Sequence, residues 1–265
     1  MHLAQPRVTP DASIPGGRPR TSPDQVAPDE VDGRLCGGSR GALPACWLEW
    51  RAVRFRELAV PGVIEFTPQV FPDARGQFVA PFQESAFLDA TGHPLHLAQS
   101  NHSVSHRGVV RGVHFSDVPP GQAKYVHCSR GALLDVAIDV RVGSPTFGRW
   151  ESILLDTESY RAVYLPEGVG HAFIALADDT VMSYLCSTGY HPAAEHTVDP
   201  LDPALRLPWP AELEVVLSPK DRAAPTLAEA ARTGILPCWA DCQHRYAQLR
   251  AAASPAPPSA RRRRG

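Results

Sequence analysis

No run of apolar residues in this chain approaches the length of a membrane-spanning helix, so a helical membrane protein is not expected. Residues 1–30 lack the basic start and continuous apolar core of a secretory signal, and the expected location is cytoplasmic. An excess of positive charge is missing too: 26 Lys and Arg stand against 28 Asp and Glu, for a formal net charge of −2. That balance gives no electrostatic case for a nucleic-acid or membrane partner, although local basic clusters can still hold an anion. The six cysteines (36, 46, 128, 186, 238 and 242) show no paired zinc spacing, and reduced packing thiols are expected. Most telling, the middle of the chain has no sustained helical period. A doubly wound parallel sheet, which needs crossover helices, is therefore excluded.

What is there is a succession of short strand signals. At 265 residues with 43% hydrophobic content, the chain has room for one large domain or two small ones. Its 27 prolines and 20 glycines gather at the ends and in turns. Strands are read at 63–67, 95–99, 131–142, 149–155, 161–165, 171–176 and 180–187, with a short helical turn at 85–90. In 131–142, Val136, Ile138, Val140 and Val142 point one way, and Asp135, Ala137, Asp139 and Arg141 the other. Ala177-Asp178-Asp179 reads as a hairpin turn, and Asp73 and Gly76 mark another turn. Helical spacing appears at Trp239, Cys242, Tyr246 and Leu249, predicting a helix near 237–252. This pattern suits an antiparallel sandwich or jelly roll without choosing between them.

The stretch from Gly108 to Cys128 carries the chemistry. It reads as strands Val109–Ser116 and Gln122–Cys128 around a tight loop of Pro119, Pro120 and Gly121. A hairpin symmetric about Pro119 sets His114 opposite Lys124, Cβ atoms about 5 Å apart. A base titrating near neutrality beside a fixed cation suits proton removal next to a carbonyl. A solvated surface pair is the bland alternative.

Several separate motifs then agree. RGVHFS, PPGQAKYV, QSNHSVS (Gln99–Ser105) and DVRVGSPTFGRW (Asp139–Trp150) resemble the dTDP-4-dehydrorhamnose 3,5-epimerase family and its deoxysugar relatives in secondary metabolism. The likeness runs in order from about Phe55 to Arg250. It implies an all-β fold: a cupin-type double-stranded β-helix (jelly-roll) barrel with short peripheral helices, spanning residues 53–250. Residues 1–52 are then a disordered or wrongly included extension, since their composition cannot bury enough apolar surface to offset ordering entropy. Val53 is a candidate true start, which N-terminal sequencing of native protein tests. Residues 251–265 are expected as a disordered basic tail.

The resemblance implies a homodimer acting on a dTDP-4-keto-6-deoxyhexose without a cofactor, inverting C3 and C5, or one of them alone. Within it, His114 looks like the base, Asp221 of LSPKD its carboxylate partner (Asp202 ranking second), and Lys124 the cation at the enolate oxygen. Tyr184 of VMSYLCS matches the tyrosine that donates a proton on the opposite face. Arg75, Gln99, Asn101, Arg111, His171 and Lys220 match positions that hold the nucleotide, and Tyr190 and Glu195 match positions lining the site. Asp135, on the polar face of its strand, is a candidate for orienting the site. Two departures stand out. Val79 and Ala80 replace an aromatic and a Glu that usually follow the Arg-Gly, with Phe78 keeping an aromatic. Ser116 replaces the Gln common after the HF of the base motif. A metal-dependent cupin usually carries two histidines one residue apart, and no His-x-His occurs; His102 and His106 stand four apart without a helical pattern. A non-catalytic sugar-binding barrel has no need of His, Lys and Tyr together.

Overall fold

Alternating apolar and polar residues organise two facing sheets in the computed structural model, which describes residues 53–253. The expectations for residues 1–52, for Val53 as the start, and for the tail from Ser254 lie outside the described residues. The first sheet holds six strands: β1 (Arg54–Glu57), β2 (Ile64–Thr67), β5 (Gln99–Ser105), β7 (Lys124–Arg130), β10 (Ala162–Leu165) and β12 (Thr180–Cys186). Their order is β1-β2-β10-β7-β12-β5. The second holds β6 (Val110–Ser116), β8 (Ala132–Ile138), β9 (Trp150–Asp156), β11 (Gly170–Ala175) and β13 (Glu195–Thr197), ordered β13-β6-β11-β8-β9. A separate two-stranded hairpin joins β3 (Val70–Asp73) to β4 (Gly76–Val79) through the predicted Asp73–Gly76 turn. Every pairing within these sheets is antiparallel.

The main core lies between the two sheets. Val126, Val163, Leu165 and Met182 of the first pack against Leu133, Ala137, Leu155 and Phe173 of the second. The outer faces are covered separately, as period-two alternation requires when both faces are buried. Helix α1 (Glu84–Thr91) sets Phe87 over Phe66, Tyr125 and Tyr164 on the six-stranded side. On the other side α3 (Leu227–Thr233) lays Leu227 and Ala230 over Val136, Ile138 and Val140. Between them in sequence comes the single turn α2 (Pro219–Arg222). Helix α4 (Trp239–Ala253) buries Cys242 and Tyr246, as its spacing predicts, and ends one residue past the expected 252.

Two expected hairpins do not form. β6 and β7 are both strands, but they lie in different sheets: β6 pairs with β11 and β13, and β7 with β10 and β12. His114 is therefore not opposite Lys124; its register partners are His171 and Thr197, while those of Lys124 are Leu165 and Cys186. The symmetric-turn argument fails because the span 117–123 carries the chain across the interior instead of folding it back. The same applies at Ala177-Asp178-Asp179, which passes from β11 in one sheet to β12 in the other. Residues 95–98 are not a strand, and the polar segment Gln99–Ser105 is one instead. Its Gln, Asn and Ser side chains hid the strand because they face the polar end of the interior. β8 stops at Ile138, and Val142 is exposed beyond it.

Candidate active site

At one end the interior between the sheets changes from apolar to polar, by substitution along strands that are already in place. Along β7 the inner face runs Cys128, Val126 and then Lys124; along β12 it runs Met182, Tyr184 and Cys186. Across β5 the register sets Asn101 beside Tyr184 and Gln99 beside Cys186. The half-buried Lys124, Tyr184, Asn101 and Gln99 form one wall.

The facing wall belongs to the five-stranded sheet. His171 and His114 are register partners on β11 and β6, and Thr197 and Glu195 of β13 stand opposite His114 and Ser116. A register irregularity places Arg111 opposite Phe173 while His114 stays opposite His171. Residues three apart thereby share the inner face, as a bulge allows. Gly112 makes this possible: at φ 119° a side chain there would meet the His171 carbonyl at 2.4 Å. So the base and the cation expected on one strand pair stand on opposite walls.

A cavity of about 430 Å³ opens on the His114 side, lined by Arg111, His114, Tyr190, Glu195, Lys220 and Asp221 among others, whereas Lys124, Tyr184, Gln99, Asn101 and His171 are not part of its lining. His114 Nε2 lies 2.7 Å from Asp221 Oδ1, which is buried. Pro219 fixes the first turn of α2, and Ser218 Oγ accepts from the Asp221 backbone N–H at 3.0 Å, so the carboxylate is aimed by its own helix cap. Burial pushes the Asp221 carboxyl up, but hydrogen bonds from His114, Ser218 and Gly112 and the His114 charge outweigh it. The net result lies below the usual carboxylate range. The second choice, Asp202, is engaged elsewhere: it accepts from Ala204 N–H and, at 2.9 Å, from Leu227 N–H at the start of α3.

Tyr184 stands on the other wall with its ring centroid 6.3 Å from that of His171. Burial pushes its phenol well above the ordinary range. Its hydroxyl lies 3.1 Å from Ser103 Oγ. His171 is buried, its Nε2 lies 2.6 Å from Asp135 Oδ1, and its ring stands edge-on to that of Tyr184. Asp135 thus orients His171. Gln99 donates to Asn101 Oδ1 at 2.7 Å and accepts from Tyr190 N–H at 2.9 Å, tying the exposed Tyr190 to β5. Arg111 donates to Ser105 Oγ and the Val104 carbonyl. Lys220 is exposed at the cavity rim.

Arg75 is not brought to this site. It stands on the β3–β4 turn, bonded to Asp73, with its side chain 90% exposed. Val79 and Ala80, where the family carboxylate is absent, belong to the same region and do not line the cavity. Sequence reasoning missed Ser103, Ser105 and Ser218 as partners of Tyr184, Arg111 and Asp221. The alternation S-x-S in QSNHSVS is the signal that would have found the first two.

The arrangement can take a proton on one wall, return one from the other, and hold an anion between Arg111 and Lys220. The family model described as dTDP-4-dehydrorhamnose 3,5-epimerase matches residues 57–229. A Mycolicibacterium smegmatis protein named dTDP-4-dehydrorhamnose 3,5-epimerase is 53% identical over 188 residues, covering 71% of this chain and 92% of that one. A Streptomyces bikiniensis dTDP-4-dehydro-6-deoxyglucose 3-epimerase is 51% identical over 182 residues, covering 69% and 93%. Among solved structures, a Mycobacterium tuberculosis epimerase superposes with a TM-score of 0.73 at 44% identity, covering 74% of this chain and 100% of that chain. The S. bikiniensis 3′-monoepimerase ChmJ, in complex with dTDP-quinovose, gives 0.72 at 49% identity, covering 73% and 98%. With motif, fold and paired walls in agreement, the chain belongs to the dTDP-4-dehydrorhamnose 3,5-epimerase family.

Proposed function

We propose that this chain inverts C3 and C5 of a dTDP-4-keto-6-deoxyhexose. The observation that carries the proposal is the placement of His114, with its Asp221 partner, and Tyr184 on opposing walls of one polar interior. Inversion at a carbon next to a ketone needs a proton removed from one face and returned to the other. His114 Nδ1, the ring nitrogen not bonded to Asp221, takes the proton from C3 or C5, and the C–H electron pair forms a double bond to C4 as the carbonyl pair moves onto oxygen and an enolate forms. Lys124, on the wall opposite His114, supplies the positive charge for that oxygen. Tyr184 gives its phenolic proton to the opposite face, the C4 carbonyl re-forms, and both groups exchange with water to reset. Asp221 holds the imidazole in its productive tautomer. Arg111 and Lys220 take the diphosphate, with Gln99, Asn101 and Tyr190 beside it. The residues named carry the reaction without a cofactor.

Inversion at C3 alone is the second reading, favoured by 3-epimerases among relatives as similar as the 3,5-epimerases. The two facing sheets support a cupin-type jelly roll spanning 53–250, and the state proposed for it is a cytoplasmic homodimer. Phe55 on edge strand β1 and Val104 on edge strand β5 are exposed apolar groups that a second copy can cover. Pairing is also the arrangement that can return Arg75 to a phosphate site. Incubation of the full chain with the keto-sugar nucleotide in deuterated water tests the reading. Label at C3 and C5 with inverted product supports it, label at C3 alone selects the second reading, and no exchange at either carbon overturns both.

A further inference from the structure

Glu195 lines two cavities at once: the one containing His114, and a second of about 370 Å³ floored by Pro119, Pro120 and Gly121, with His191 and Ser116 beside them. Glu195 is the residue common to both linings. Ser116 Oγ donates to Glu195 Oε1 at 2.8 Å, and the β6–β13 register sets the two residues directly opposite each other. Ser116 is buried on the same inner face as His114, two positions along β6.

A carboxylate accepts hydrogen bonds and repels phosphate, so the diphosphate belongs on the Arg111 and Lys220 side of the first cavity. The ligand group that meets Glu195 must then be neutral and carry an N–H or O–H. We propose that Ser116 is a positioning residue that fixes Glu195 as the acceptor for the nucleoside end of the substrate. This rests on the nucleoside diphosphate-sugar reading given above. Two donors share the required chemistry, the pyrimidine N3–H and the deoxyribose 3′-hydroxyl. The second cavity takes the apolar face of the same nucleoside against its proline floor. Serine at 116 reaches its register neighbour and leaves that cavity open.

Calorimetric binding of dTDP, N3-methyl-dTDP and 3′-deoxythymidine diphosphate to the full chain and to Ser116→Ala and Ser116→Thr tests this. Removing one hydrogen bond to a charged group costs about tenfold in affinity. One of the two analogues should bind the wild type about tenfold more weakly than dTDP, and which one identifies the donor. Ser116→Ala should lose about tenfold for dTDP, raise KM similarly and keep kcat within about threefold. Ser116→Thr, which retains the hydroxyl, should restore most of the loss. The penalty on the discriminated analogue should shrink in Ser116→Ala, because the acceptor it misses is no longer fixed. The proposal is overturned if both analogues bind the wild type as dTDP does, a result that needs no folded variant. It is equally overturned if Ser116→Ala folds and binds dTDP unchanged, or loses kcat rather than KM. A wild-type chain that binds no dTDP at all would instead overturn the proposed function.

Discussion

Two histidines on neighbouring strands of the five-stranded sheet, His114 and His171, each pair with an aspartate, and the pairs differ in one respect. In His114–Asp221 the histidine side chain keeps 33% of its exposure while the carboxylate keeps 4%; in His171–Asp135 the figures are 5% and 0%. The hydrogen bonds are of equal quality, at 2.7 and 2.6 Å. What separates them is access. The first imidazole opens into a cavity where a substrate can meet it, and the second is buried, edge-on to Tyr184. The same pairing therefore serves chemistry in one place and architecture in the other.

That contrast breaks most sharply at His114. His114→Ala should lower turnover about 10⁴-fold, the upper range for a positioned base, while shifting the thermal midpoint little. Solvent-deuterium exchange into substrate is the direct measurement. Asp135→Ala should show the opposite balance. Removing one member of a buried pair costs about 3 kcal/mol, which for a domain of this size lowers the midpoint by roughly 10 °C in a thermal scan. A midpoint unchanged from wild type would show the two pairs to be alike after all. Asp221→Asn should lower turnover by up to about 10⁴-fold as the imidazole loses its tautomer. Its stability effect has a pH signature. The folded-state pKa of Asp221 is depressed, so its contribution is present above the ordinary carboxylate range and is lost as pH falls through it. Denaturant midpoints should separate wild type and Asp221→Asn at pH 6 and bring them together near pH 3.

Much of the strand inventory was legible because burial on both faces leaves a period-two trace. Val136 and Ile138 do turn outward from β8 to meet α3, and Asp135 and Ala137 inward. Pairing was not legible. A turn rich in Pro and Gly reads identically whether it reverses a strand or hands it across to the opposite sheet, and only the edges already taken by β11 and β13 decide. β5 was hidden for a different reason: its inner residues line a polar interior, so the alternation that marks a half-buried strand is absent. Asp221 was recoverable through motif likeness alone, since 107 residues separate it from His114. Arg75 matched its motif, yet lies outside the cavity in a single copy.

The passage from β6 to β7 acts as a calliper. His114 lies three residues before it begins and Lys124 is the first residue of the strand after it, so the span 117–123 sets the gap between the two jaws. Two prolines stiffen it, and Gly121, at φ 75°, takes a backbone angle that few other residues tolerate. Lengthening or shortening that span by one residue would change the jaw opening itself while leaving every group on both jaws intact.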